Sequence, residues 1–327
     1  MELSLREYFS VGMTIARDTA RRCGLIRDSS EPPTPTPVFT LGGHSQHLIG
    51  FDRSRNWPNG SANENQRTTM QRDLRAALMA RRIVVYYEPV VALERGHIIR
   101  FEALPRWESN DFGWVERDQL IALAEEAGFI TELNDQLLNQ ACQDARNWPD
   151  QVMLAIHISP MQLHDGMLAS RIVNVLSNTG FNPRRLQLEV TEPVFSEPNE
   201  PGQGFINQLR KVGVKLALDD FGTGHAPLMQ LLDFQFDQIK IDRRFVEHLG
   251  KDDDSAIIVR AIIRLARDFG IAVTAKGLAT AEHLAILLAS GCQEGQGVFF
   301  GGPVPASQIL IMLNQMQWTS VRQLKPI

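Results

Sequence analysis

From about residue 69 onward the sequence alternates strand-like runs with amphipathic stretches, and this alternation constrains the fold more than any other feature. Runs rich in β-branched and aromatic residues fall at 83–87, 98–104, 152–158, 186–191, 214–218, 238–241, 271–275 and 298–300. A helix is expected at about 69–82, and helical periodicity recurs at 118–127, 133–146, 166–178, 204–211 and 255–269. Eight strands with intervening helices over roughly 250 residues fit an α/β protein of the (β/α)8 barrel type better than an open sheet. No Gly-x-Gly-x-x-Gly turn follows any run, which weakens a dinucleotide-binding alternative.

The rest of the 327-residue chain reads differently. Residues 1–28 place Leu5, Phe9, Met13, Ala16, Ala20 and Cys23 on one helical stripe. Docking of that helix onto its own domain is favoured over a dimer seam, and a homodimer stays open. Residues 29–66 hold Pro32, Pro33, Pro35, Pro37 and Gly42-Gly43, the composition of a linker. The barrel domain is expected over 67–320.

A net charge of −5 argues against a protein that tracks a nucleic-acid polymer, which needs a basic surface. The three cysteines, Cys23, Cys142 and Cys292, form no Cys-x-x-Cys pair and signal neither a disulfide framework nor zinc. No apolar run approaches the roughly 18 residues of a spanning helix, and Met1-Glu2-Leu3-Ser4 does not begin like a signal peptide. The expectation is a cytoplasmic protein that does not insert in a membrane.

In a barrel of this kind the active site gathers at the C-terminal strand ends. Those ends are acidic here: Glu102, then Glu189 and Glu192, then Asp219-Asp220. Carboxylates at several strand mouths repel one another unless cations lie between them, and hard divalent ions prefer such oxygen ligands. Singly, each is more often a helix cap or a surface charge, and Asp219-Asp220-Phe221-Gly222-Thr223-Gly224 alone is compatible with a turn. Lys240, between Ile239 and Ile241, is harder to dismiss, because a lysine in a barrel strand points into the mouth or needs an anionic partner.

With these residues the stretch from about 70 to 306 resembles the EAL family in motif order and spacing. Glu102-Ala103-Leu104 with Arg106 and Trp107 is similar to its name-giving motif, and Glu189 to Glu192 to its ExTE motif. Asp219 to Gly224 resembles its DDFGTG loop, Lys240-Ile241-Asp242 its KID segment, and Gln296-Gly297 its QG pair. The resemblance implies a modified TIM barrel in which two Mg²⁺ or Mn²⁺ ions bridge a phosphodiester of cyclic di-GMP, and activated water yields the linear dinucleotide pGpG. It places Glu102, Glu189, Asp219 and Asp220 among the metal ligands and Lys240 beside the attacking water. It has Glu192 holding the DDFGTG loop, Arg106 on a phosphate, and Gln296 in the site.

Departures from the pattern fall on that chemistry. His157 stands where the family has an asparagine ligand; imidazole suits softer ions than Mg²⁺, and a histidine in an apolar strand is usually a core residue. The family's AEGVE segment reads Ala275-Lys276-Gly277-Leu278-Ala279, so both glutamates are lost. A glutamate at 276 would set five carboxylates against the Lys240 ammonium; here four stand against two ammonium groups, a charge that balances one divalent ion at most. Glu88 replaces a usual glutamine, His225-Ala226-Pro227 replaces an aromatic-Ser-Ser run, and Pro105 predicts an irregular strand end.

The resulting expectation is a degenerate, non-hydrolytic EAL regulator holding one Mg²⁺ or Mn²⁺ ion or none, with Glu102, His157, Glu189, Asp219 and Asp220 as candidate metal ligands. Lys240 and Glu192 would be vestigial catalytic residues, and Arg106, Gln296, Glu88 and Lys276 ligand contacts. It would bind cyclic di-GMP, with Lys240, Lys276 and Arg106 pairing a dianion without metal, or contact a protein partner. The alternative is an active phosphodiesterase producing pGpG.

Overall fold

The computed structural model describes residues 64–191, 200–223, 234–251 and 253–315. The expected N-terminal helix at 1–28, nearly all of the 29–66 linker, Glu192 and His225 lie outside these residues.

The first described helix, α1 (Glu64–Met79), starts within the expected linker and stops short of 82. Its Glu-Asn-Gln start reads as linker by polarity, although Glu and Gln are good helix formers. Arg81, at φ 51°, turns the chain out of the helix. Strand β1 (Val84–Ala92) then pairs antiparallel with β2 (His97–Ser109). Only residues 93–96 join them, too few for the crossover that a parallel pair requires. Both strands outrun their predicted lengths. Pro105 does not end β2; it sits opposite Val85, between the register with β4 (Met153–His157), which stops at Ala103, and that with β3 (Gly113–Val115), which starts at Trp107. A proline is tolerated where one flank of the strand has no ladder partner.

Helices α2 (Arg117–Glu126) and α3 (Ile130–Ala145) lead to β4 (Met153–His157). The chain continues through α4 (Leu168–Thr179), β5 (Leu186–Thr191), α5 (Glu200–Val212), β6 (Lys215–Phe221) and β7 (Gln238–Ile241). It then runs through α6 (Asp253–Asp268), β8 (Ala272–Ala275), α7 (Ala281–Ala289), β9 (Glu294–Gln296), β10 (Val304–Pro305) and α8 (Ala306–Gln315). Strands β2, β4, β5, β6, β7, β8 and β9 are parallel neighbours in that order, and β1 closes the ring antiparallel to both β2 and β9. The fold is thus a closed eight-stranded α/β barrel with one strand reversed.

The predicted last strand at 298–300 is a 3₁₀ turn, and β9 precedes it. Its sequence, Glu-Gly-Gln, carries no β-rich signal because Glu294 and Gln296 serve the polar interior of the barrel and the chain at Gly295 passes too close to its neighbours for a side chain. A Cβ on Gly295 would lie 2.6 Å from a Leu93 methyl, and one on Gly297 2.5 Å from the Leu278 backbone.

The main core lies between the barrel and its helices. Helix α4 buries Leu168, Ile172 and Leu176, and α6 buries Val259, Ile262, Ile263 and Ala266, at the three- and four-residue spacing that one packed face demands. A second cluster joins Met70, Leu74 and Leu78 of α1 to Trp107, Val115, Leu120 and Leu123, fixing the β2–β3 hairpin and the start of α2 beside the barrel mouth.

Candidate functional site

The interior of the barrel is polar in two tiers, set two residues apart along five strands. The lower tier comprises Arg100, Gln187, Gln238, Thr274 and Glu294. Arg100 donates to Gln187 Oε1 (2.8 Å) and to Glu294; Gln187 donates to Gln238 Oε1 (2.6 Å); and Gln238 and Thr274 both donate to Glu294. One cation and one anion cancel within it. Two residues on, where successive inward side chains must fall, stand Glu102, Glu189, Lys240, Lys276 and Gln296.

Lys240, 1% exposed, sits at the centre of the upper tier. Its Nζ donates to Glu102 Oε2 (2.8 Å) and to Glu189 Oε2, with Asp219 Oδ1 4.0 Å away. Burial opposes its charge, but Asp219, Glu102 and Glu189 outweigh that and hold it protonated above the ordinary lysine range. Gln296 Nε2 bridges Glu102 Oε2 (2.7 Å) and Glu88 Oε2 (2.9 Å). Glu88 and Glu102 are cross-strand partners, so burial and the Glu102 charge both raise the Glu88 pKa.

Asp219 and Asp220 are consecutive in β6, where regular pleating would send their side chains to opposite faces. A bulge between Leu218 and Phe221, with Asp220 at φ 53°, breaks the alternation. Both carboxylates therefore reach the same ammonium: Lys276 Nζ donates to Asp219 Oδ1 and to Asp220 Oδ1, each at 2.7 Å. Burial works against the Asp219 charge, yet Lys240 and Lys276 bring its pKa down to about 2. Lys276 is raised, its burial outweighed chiefly by Asp219 and Asp220.

Two carboxylates share Lys240 and part in behaviour. Burial and the Glu102 charge push Glu189 up to about 7, and its Oε1 has no hydrogen-bond partner. Glu102 is equally buried but also has Arg117, whose Nη2 lies 3.3 Å from Glu102 Oε1, and it stays well below the carboxylate range.

The structure thus brings together Glu88, Glu102, Glu189, Asp219, Asp220, Lys240, Lys276 and Gln296. His157 ends β4 in register with Glu189, but its buried Nδ1 has no partner; burial and Arg117 lower its pKa to about 4, leaving a neutral imidazole. Arg106 stands apart from the carboxylates, its guanidinium 4.4 Å from the Tyr86 ring centroid. Lys240 is enclosed by Glu102, Glu189 and Asp219, its side chain 1% exposed.

Sequence reasoning missed Arg117 and the lower tier. The tier was legible as a polar residue two positions before Glu102, Glu189, Lys240, Lys276 and Gln296. Arg117 carries its own signal: an arginine opening a helix, where the macrodipole disfavours a cation and proline is common.

A pair of divalent ions does not fit this arrangement. Hard cations bind carboxylate oxygen at about 2.0–2.6 Å, and an ion between Asp219 and Asp220 would coincide with the Lys276 ammonium. Glu102 and Glu189 likewise already enclose Lys240. Among the described residues no group of three or more His, Cys, Asp or Glu side chains is arranged to hold a metal ion, and no described helix is long and apolar enough to cross a membrane.

Comparison with known proteins places these residues in context. The model of the EAL domain family matches residues 71–303. The chain is 41% identical over 257 residues to the uncharacterized protein y4lL of Sinorhizobium fredii, covering 79% of this chain and 31% of that protein. It is 34% identical over 254 residues to the bifunctional diguanylate cyclase/cyclic di-GMP phosphodiesterase MucR of Pseudomonas aeruginosa, covering 76% of this chain and 37% of that protein. The chain therefore spans about a third of the length of these relatives. Among solved structures, the PaMucR phosphodiesterase in complex with c-di-GMP superposes with a TM-score of 0.71 at 34% identity, over 74% of this chain and 99% of that one.

Proposed function

The chain belongs to the EAL domain family, and from that premise we propose that its barrel is a non-hydrolytic receptor for cyclic di-GMP that signals through binding. The observation that carries this reading is the Lys276 ammonium, 2.7 Å from both Asp219 and Asp220. It fills with a fixed single charge the place where a hydrolytic EAL site would need a divalent ion. Two like unit charges about 4 Å apart cost roughly 4 kcal/mol at an effective dielectric near 20, and a divalent ion doubles that. Lys240 offsets part of the charge of Glu102 and Glu189 from within, and with Lys276 and Arg117 it sets three cations against Glu102, Glu189, Asp219 and Asp220. Relatives named as cyclic di-GMP phosphodiesterases, and a solved one complexed with c-di-GMP, support the ligand class.

The test is calorimetry of the protein with cyclic di-GMP in EDTA and in Mg²⁺ or Mn²⁺, alongside an assay for pGpG. Binding that is equal with and without metal, and no turnover, is the expected result. Sustained metal-dependent pGpG formation would establish the phosphodiesterase reading instead, and absence of binding under every condition would leave a domain that acts through a protein partner.

A further inference from the structure

Beside the carboxylate cluster, between the β2–β3 hairpin and the start of α2, lies a cleft of about 110 Å³ lined in part by Leu104, Arg106, Trp114, Glu116, Arg117 and Pro303. Its volume is several times the roughly 10–15 Å³ that one ordered water needs and well below the 300 Å³ or more of a pocket that encloses a whole ligand. It is sized for one group of a larger molecule lying across the mouth.

Two guanidinium groups line this cleft against a single carboxylate, Glu116. Arg106 stacks on Tyr86 and has no acidic partner among the described residues. Arg117 is engaged on one side only: Nη2 approaches Glu102 Oε1 at 3.3 Å, while Nε has no hydrogen-bond partner. A guanidinium has five donors in a planar fork suited to phosphate oxygens, so most of this capacity is unused. Its side chain is 24% exposed, in contrast to the sealed Lys240. Lys276 is committed to Asp219 and Asp220, so an anion arriving at this mouth meets Arg106, which has no acidic partner among the described residues, and Arg117, whose guanidinium is paired with Glu102 through Nη2. Local structure does not explain an arginine at this position either. The start of a helix is the positive end of its dipole, the capping residue Glu116 makes no side-chain capping bond, and it is the Glu102 carboxylate that offsets the misplaced charge.

We propose that Arg117 is a ligand-binding residue which, together with Arg106, takes a phosphodiester group of cyclic di-GMP into this cleft without a metal ion. The inference rests on the receptor reading above. Arg117 then has two competing anions, Glu102 in the free protein and the phosphate in the complex, and the exposed Trp114 beside it offers a flat face to the rest of the ligand.

The experiment is calorimetric titration of cyclic di-GMP in EDTA into the wild type, Arg117→Ala and Arg117→Lys, with thermal melting of each protein as the control for folding. The expected result is at least a tenfold loss of affinity for Arg117→Ala and a smaller but clear loss for Arg117→Lys, which keeps the charge and loses the fork. In a nitrogen-resolved NMR spectrum the Arg117 Nε–H signal should move on adding the nucleotide. Should Arg117→Ala not fold, Arg117→Lys and the NMR shift carry the test. Binding that Arg117→Lys and Arg117→Ala leave within twofold of wild type, with a stationary Nε–H signal, overturns the assignment of Arg117 alone. A wild type that binds no cyclic di-GMP overturns this assignment together with the receptor reading.

Discussion

Glu88 and Glu102 face each other across the β1–β2 ladder and are bridged by one donor, the Gln296 amide. Like charges directly opposite on a sheet cost roughly 0.2–1 kcal/mol, and burial together with that Glu102 charge raises the Glu88 pKa. A carboxyl raised on folding is bound more tightly to its proton in the native state, so its contribution is favourable at low pH and is lost as pH rises from the unfolded value through the native one. Glu88→Gln should therefore stabilise the protein at pH 8 by about that amount, and the gain should vanish towards pH 4. Chemical denaturation at both pH values measures it; an equal gain at both would mean that the charge plays no part.

Lys240 holds two buried carboxylates at once. Removing one partner from a buried ion pair typically costs about 3–5 kcal/mol because the other charge is left behind. Lys240→Met is expected to lose that much in urea denaturation, and Lys240→Met with Glu189→Gln to recover a good part of it. Glu189 is the carboxylate to neutralise, since burial and Glu102 already push it up to about 7. A double variant no more stable than the single one would count against the pairing.

If the Lys276 ammonium occupies a divalent ion's place, exchanging it for a carboxylate should open the site. Lys276→Glu with Ala279→Glu and His157→Asn is expected to bind Mn²⁺ measurably in calorimetry, where the wild type does not, and to form pGpG. The three positions act on one centre, so their effects need not add. A triple variant that binds metal and stays inactive would move the remaining defect to Glu88 or to the 225–227 segment.

Gly297 has φ 146° and ψ 177°, a region open essentially to glycine alone, and its missing Cβ would meet the Leu278 backbone at 2.5 Å. The conformation alone costs another residue about 1–3 kcal/mol. Gly297→Ala should lower the melting temperature by several degrees and displace Gln296, whose backbone carbonyl accepts from Leu278. Unchanged melting would show that this turn relaxes freely.

Much of this was legible in the residues. The alternation of strand and helix signals identified the barrel, and the spacing from Glu102 to Gln296 marked its chemical end. Two things were hidden for physical reasons. Strand β9 is Glu-Gly-Gln because Glu294 and Gln296 serve the polar interior and close approach to Leu93 and Leu278 leaves no room for a side chain at Gly295, so no β-branched residue announces the strand. The meeting of Asp219 with Asp220 depends on a bulge at Asp220, and a left-handed aspartate leaves no trace in hydrophobic periodicity. Arg117 was missed because it lies in no motif and reaches the site only through the fold of the β2–β3 hairpin.

The lower tier of the barrel has a consequence for how such a domain can change. Arg100, Gln187, Gln238, Thr274 and Glu294 bond to one another without any group from the mouth above. The barrel stands on this floor, so what is written at the mouth can be revised one residue at a time with the closed sheet intact beneath it. Chemistry and architecture are thereby separately editable. A change at the mouth can alter what is bound there while the shape beneath it is kept.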